Sequence, residues 1–313
     1  MTVTSQTSTP AKITRPRKPS APAEILPNVY QVFTEGQMTL ADVEWEQQRF
    51  HEWRRWNAVE MVERIDLDSL SEADRIYIWN FARAELTTKP GADRLARLCD
   101  SECRRWQSED PHLAAVIQAC GTWSRYWNEE EAHHEAALTH LLRALDFEPI
   151  TDDMFLEYRQ IFPDDDMLRT LFLLTMSEVK TTVMYTSMAN KTSDAGLKAL
   201  FNQIASDEAH HMRYFNAFAR GLVDSGRYSP KGAFAIAHFF VREGGEMYGY
   251  ARQRKEQRGS HVNWWDQLDF RHAERPDDFH RQHKLTYVSL EQVTGIRVSS
   301  PEEVQDKWME LVA

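Results

Sequence analysis

The chain has 313 residues, of which 42% are hydrophobic and 27% charged, with a formal net charge of −11. That balance describes a globular protein with material for one sizeable core, and its sign argues against nucleic acid or an anionic membrane as the main partner. No run of about eighteen apolar residues occurs, so no transmembrane helix is expected. Three cysteines, Cys99, Cys103 and Cys120, are too few for a disulfide framework and fit a reducing, cytoplasmic setting.

Residues 1–28 are rich in Pro, Ser, Thr, Lys and Arg without an apolar run. They read as a disordered arm and not as a secretory signal, leaving 29–313 as a single domain. Leu40, Val43, Phe50, Trp53, Trp56, Val59 and Val62 have helical spacing and predict one helix over 39–64. Ser71-x-x-Asp74 opens a second helix running at least to Leu86; Pro90-Gly91 interrupts it, and the pattern resumes through Trp106. Residues 107–111 form a turn, with Pro111 suited to the first position of a long helix to about 146. A short helix is expected near 152–161, then long ones over 165–190 and 195–223, joined by the Lys191–Gly196 turn. Helical pattern covers 230–257. The stretch 258–300 is mixed, with an extended possibility around Leu285–Val288, and Ser300-Pro301-Glu302-Glu303 opens a last helix to about Leu311. The expected fold class is all-α: a ferritin-like four-helix bundle with additional flanking helices.

Charged residues interrupt the apolar stripes. In the 111–146 helix the stripe runs Val116, Cys120, Trp123, Trp127, Glu131, His134, Leu138, Leu141, Leu145. In the 195–223 helix it runs Leu197, Leu200, Ile204, Glu208, His211, Phe215, Phe218, Leu222. Leu171, Leu174, Glu178, Thr181, Tyr185, Met188 and Ile78, Phe81, Glu85 supply two more stripes, each with one inward Glu. A buried carboxylate without compensation is very costly. Four carboxylates and two imidazoles facing inward balance two divalent cations, and this donor set suits iron, with manganese the alternative. Residues facing each other across a helical hairpin lie equally far from its turn. Residue 193 is midway between Glu178 and Glu208, and residue 108 midway between Glu85 and Glu131; both positions fall in predicted turns.

The motifs are doubled, because Glu130/His133 and Asp207/His210 have the same spacing. Their stripes are too polar for a core face, which assigns Glu130 and Asp207 to flanking positions from which they can bond ligand imidazoles. Glu102 rivals Glu85, but it sits five residues before the turn whereas Glu131 sits twenty after it. One Glu-x-x-His alone usually marks a solvated face; two pairs and two single Glu on four core stripes reverse that expectation. His51, His112, His140, His238, His272, His280 and His283 lack such partners and read as surface or ordinary core. Cys99 and Cys103, one turn apart, have no further ligand at zinc-site spacing.

Trp123-Ser124-Arg125-Tyr126-Trp127-Asn128-Glu129-Glu130-Glu131-Ala132-His133-His134 resembles the W-x-R-x-W-x-x-E-E-x-x-H block of the soluble acyl-[acyl-carrier-protein] desaturases. Ser206-Asp207-Glu208-Ala209-His210-His211 is similar to their A-D-E-x-x-H block, and Glu178 with Thr181 matches their Glu followed three residues later by Thr. The likeness covers about residues 70–220. It differs in the five-residue spacing from Glu85 to Pro90, and the C-terminal third carries no matching motif. The resemblance implies two irons, with Glu85 and Glu178 as terminal ligands and Glu131 and Glu208 bridging. It also implies Thr181 beside the oxygen-binding face, O2 as oxidant, and a ferredoxin-type electron donor. The implied reaction is desaturation of an acyl chain on acyl carrier protein by a homodimer. Arg94, Arg97, Arg104 and Arg105 are candidates for docking the carrier, though a solvated helix face explains them equally well. A hydroxylase or N-oxygenase acting on a small or carrier-bound molecule would use the same ligands. An iron-storage protein fits the Trp-rich stripes less well. A radical-generating reductase subunit would want a Tyr about one turn after the first ligand, and Thr87–Lys89 offers none.

Overall fold

The computed structural model describes residues 28–86, 88–147, 166–243 and 276–313. The expected arm at 1–27, the short helix near 152–161 and the stretch 244–275 lie outside the described residues. Eleven α-helices are described: α1 Val29–Thr34, α2 Leu40–Arg54, α3 Ala58–Val62, α4 Glu72–Glu85, α5 Thr88–Trp106, α6 Pro111–Ala144, α7 Met167–Ala189, α8 Ala195–Asp224, α9 Lys231–Glu243, α10 Pro276–Thr294 and α11 Pro301–Val312. No strand occurs among the described residues, and none of their helices is long and apolar enough to cross a membrane.

Local chemistry sets the boundaries. The Ser71 hydroxyl accepts from Asp74 N while the Asp74 carboxylate binds Ser71 N, the capping box that starts α4. Asp110, Asp166 and Asp194 each cap the helix that follows, and Pro111 opens α6 where a missing N–H costs nothing. At α11, Ser300 caps Glu303 N, but the Glu303 carboxylate returns to Ser299 N instead of Ser300 N.

Three expectations are corrected. The 39–64 helix breaks after Arg54, where Arg55 leaves helical geometry and Asn57 caps a separate α3. The 285–288 stretch, proposed as extended, lies inside α10. Leu145 is only half-buried, because α6 has already ended at Ala144.

The bundle consists of the α4–α5 pair, α6, α7 and α8, with α5–α6 and α7–α8 as antiparallel hairpins. Helices α1 to α3 pack over α6 and its neighbours, while α9 and α10 cover α7 and α11 packs on α9. The predicted stripes are the core: Val116, Cys120, Trp127, Leu138 and Leu141 of α6 and Leu197, Ile204, Phe215 and Leu222 of α8 are all buried. Burying each large apolar side chain contributes about 1.5–3 kcal/mol. Cys99 and Cys120 are buried in the same apolar cluster, and no disulfide occurs among the described residues. At the start of α8, Gly196 lies on the backbone of Arg64 and Ile65 with no room for a side chain.

Candidate metal centre

Glu85, Glu131, His134, Glu178, Glu208 and His211 come together in one layer of the bundle, each at most 4% exposed. Helical spacing of three puts Glu131 and His134, and likewise Glu208 and His211, on the inner faces of α6 and α8. Glu178 enters from α7, and Glu85 is the final residue of α4.

The two imidazoles organise the carboxylates into two overlapping sets. His134 Nδ1 lies 3.3 Å from Glu131, 3.3 Å from Glu208 and 3.6 Å from Glu85. His211 Nδ1 lies 3.0 Å from Glu131, 3.8 Å from Glu178 and 3.8 Å from Glu208. Within each set of four, one ligand atom per residue falls within 4.8 Å of all the others. Glu131 and Glu208 belong to both sets, Glu85 to one and Glu178 to the other.

Both ring nitrogens pointing away from the cluster are engaged. His134 Nε2 is 3.2 Å from Asp207 Oδ2, and His211 Nε2 is 2.9 Å from Glu130 Oε2. The support is crossed: α8 supplies the carboxylate that holds the α6 imidazole, and α6 supplies the one that holds the α8 imidazole. With the proton placed on Nε2, each Nδ1 lone pair faces the cluster. Asp207 also accepts from Arg54, from Trp56 Nε1 at 2.7 Å and from Gln203 at 3.2 Å.

Asp207 is therefore deeply buried, although its stripe is polar. This flanking face is roofed by Arg54 of α2 and Trp56 of the link to α3. His51, read as surface or ordinary core, is buried and contacts Glu130. A usable signal existed. The buried face of α2 is Val43, Gln47 and His51, a stripe too polar to cover an apolar surface.

Two further contacts were not foreseen. Trp127 Nε1 donates to Glu131 Oε1 at 2.8 Å, and the Tyr185 hydroxyl donates to Glu85 Oε1. The latter brings a fully buried phenol to the first-helix carboxylate from across the bundle, stacked on Phe81. Thr181 Oγ1 lies 3.1 Å from Glu208 Oε2 and 3.1 Å from the Ser177 carbonyl. Glu102 is elsewhere, accepting from Tyr228 and Trp106. Arg104 and Arg105 pair with Asp100 and Glu102 on their own helix.

Burial pushes Glu131 up, as does the Glu208 charge, but His134 and His211 outweigh both and hold it at about 2. Glu208 is likewise held well below the carboxylate range: burial opposes this, while its close approach to Glu178 and the imidazoles prevails. Burial drives Glu85 and Glu178 well up, aided by the Glu131 charge on the first and the Glu208 charge on the second. His134 and His211 rise well above the ordinary imidazole value; burial opposes the rise and the surrounding carboxylates overcome it.

In the metal-free layer the upward shifts of Glu85, Glu178, His134 and His211 favour bound protons as the compensating positive charge. Divalent cations would supply that charge instead, so the donor set fits exchange of one for the other. The orphaned atoms fit as well. His134 Nδ1, His211 Nδ1 and Glu208 Oε1 are buried without a hydrogen-bond partner among the described residues, and all three face the cluster.

No protein-family model and no curated protein matches the sequence. Among solved structures, the chain is similar to the R2-like ligand-binding oxidase from Sulfolobus acidocaldarius, at 15% identity and a TM-score of 0.48. The alignment covers 88% of this chain and 98% of that one.

Proposed function

We propose that the chain is a dioxygen-dependent di-iron oxidase that desaturates an acyl chain carried on acyl carrier protein. The observation that carries the metal half is the pair of buried Nδ1 atoms, each facing three carboxylates, two of them shared. Glu85, Glu131, His134 and Glu208 would hold one iron, and Glu131, Glu178, Glu208 and His211 the other, with manganese the alternative. A bound iron pair supplies dioxygen activation and hydrogen removal from an unactivated C–H bond.

The chain's own residues do the rest. Asp207 and Glu130 keep a proton on each Nε2, so both Nδ1 atoms stay available. The apolar residues above and below the layer exclude water, which strengthens every charge interaction inside it. Thr181 holds a hydroxyl proton beside Glu208 Oε2 from a half-buried position, suited to passing protons into the site. Half-buried Trp56, Asp207 and His134 form a continuous hydrogen-bonded line from near the surface to the cluster, a route for electrons from a ferredoxin-type donor. The acyl-carrier substrate and the homodimer rest on the likeness of the Trp123–His134 and Ser206–His211 blocks to the soluble desaturases.

The test is incubation of iron-loaded protein, reduced ferredoxin and dioxygen with a panel of acyl-carrier-protein thioesters, read by mass spectrometry. A product lighter by two hydrogens supports desaturation, and one heavier by an oxygen replaces it with hydroxylation or N-oxygenation. No turnover on any thioester sinks the carrier-bound substrate and leaves the metal reading standing. In the same assay Thr181→Val is expected to slow turnover about 10²-fold at unchanged iron content, the lower end for a lost proton-transfer group. Equal rates would remove Thr181 from proton handling.

A further inference from the structure

His51 is 3% exposed, and its ring is held at Nδ1 and on one face. Nδ1 lies 2.8 Å from Glu130 Oε1, and Nε2 lies 3.4 Å from Glu129 Oε2. One ring face stacks on Tyr126 at 4.9 Å between centroids, and the Tyr126 hydroxyl is anchored on Gln48 of the same α2 helix. Through Glu130 this imidazole, 79 residues away in the chain, is one step removed from His211: the two oxygens of a single carboxylate are divided between the two rings.

The two imidazoles of the cluster are not supported equally. Asp207, behind His134, receives Arg54, Trp56 and Gln203 besides the imidazole. Glu130, behind His211, has His51 as its one other hydrogen-bond partner among the described residues. Losing one donor at Asp207 leaves two more in place. Losing His51 frees an oxygen of Glu130, allows the carboxylate to turn, and concentrates its charge on His211 Nε2.

We propose that His51 is a positioning residue for the metal centre: by binding Glu130 Oε1 it fixes Glu130 Oε2 on His211, and so sets the orientation and donor strength of His211 Nδ1. The physical basis is that an outer carboxylate aims a metal-bound imidazole and increases its basicity, while a donor on the carboxylate's other oxygen holds it still and moderates that increase. The inference rests on the dimetal reading given above.

The test titrates metal-free wild type, His51→Leu, His51→Asn and His51→Gln with Co(II), following ligand-field absorption and stoichiometry, with thermal unfolding of each metal-free protein as the folding control. Asn can place an amide N–H near the Nδ1 position, whereas Gln reaches the Nε2 position. Wild type is expected to take up two Co(II). His51→Leu should bind the second ion about 10–100-fold more weakly, with a changed absorption band, the usual cost of an outer partner. His51→Asn should recover most of that loss and His51→Gln should not. Should His51→Leu fail to fold, the Asn-to-Gln comparison still decides. Binding and spectra of His51→Leu identical to wild type, or His51→Asn no tighter than His51→Gln, would overturn the proposal. Wild type that takes up no Co(II) would instead overturn the dimetal reading itself.

Discussion

Replacing Glu131 by Ala is expected to empty both halves of the metal centre at once. Its two oxygens face different imidazoles, Oε2 at 3.3 Å from His134 and Oε1 at 3.0 Å from His211, so its loss leaves Glu208 as the one remaining carboxylate of the six-residue layer that faces both. Outer partners of metal ligands alone cost about 10–100-fold in affinity, and loss of a shared ligand should exceed 100-fold. The metal-free protein suffers as well. His134 and His211 would lose a carboxylate that faces both of them in a buried layer, and removing one partner of a buried pair costs about 3–5 kcal/mol. On the dimetal reading, His211→Ala should likewise lower the bound metal, with the half containing Glu178 lost first. Metal analysis of the purified variants checks both, and full occupancy in the two would mean that the ligands are other residues.

The second large effect involves no polar group. A Cβ on Gly196 would press on the Arg64 carbonyl oxygen, and would lie 2.7 Å from its carbon and 2.9 Å from Ile65 Cα. These are backbone atoms and cannot swing aside as a side-chain tip would. Overpacking of this kind costs about 1–3 kcal/mol, and at least the upper end is expected where backbone meets backbone. The displacement would also strain the contacts that tie Asp194 to Asp66 N and Ser69 Oγ, both 3.3 Å. Gly196→Ala should therefore lower the melting temperature by about 2–4 °C for each kcal/mol. An unchanged melting curve would show that the Arg64–Ile65 link yields freely.

The six residues of the layer were legible because each breaks a stripe that must be buried, and because the hairpin turns constrain which levels face each other. Helix ends were legible where Ser71, Asp110, Asp194 and Ser300 provide caps. The helix break at Arg55–Asn57 was hidden, since Trp53, Trp56 and Val59 continue the apolar spacing; Trp53 and Val59 are in fact exposed. Periodicity reports that a residue is apolar, and the turn was written in backbone geometry. His51 and Tyr185 were hidden for another reason. Their partners, Glu130 and Glu85, lie 79 and 100 residues away, and spacing within one helix carries no information about contacts across the bundle. The phenol on Glu85 arrives from α7 and not from the residues that follow Glu85 in the chain.

The polar layer also separates two apolar clusters. One gathers Leu113, Trp127, Leu171, Phe215 and Leu222 at one end, and the other gathers Ile78, Phe81, Leu138, Tyr185, Leu197 and Phe201 at the opposite end. Long helices run through both, but side-chain packing is interrupted midway by six ionisable groups. On the dimetal reading these clusters are expected to behave as two cooperative units, which a bound metal pair would join so that they unfold as one. Chelation should then speed amide hydrogen exchange in the middle of α6 and α8 first, with each end retaining its own protection. Uniform loss of protection along both helices would instead mark a single unit with or without metal.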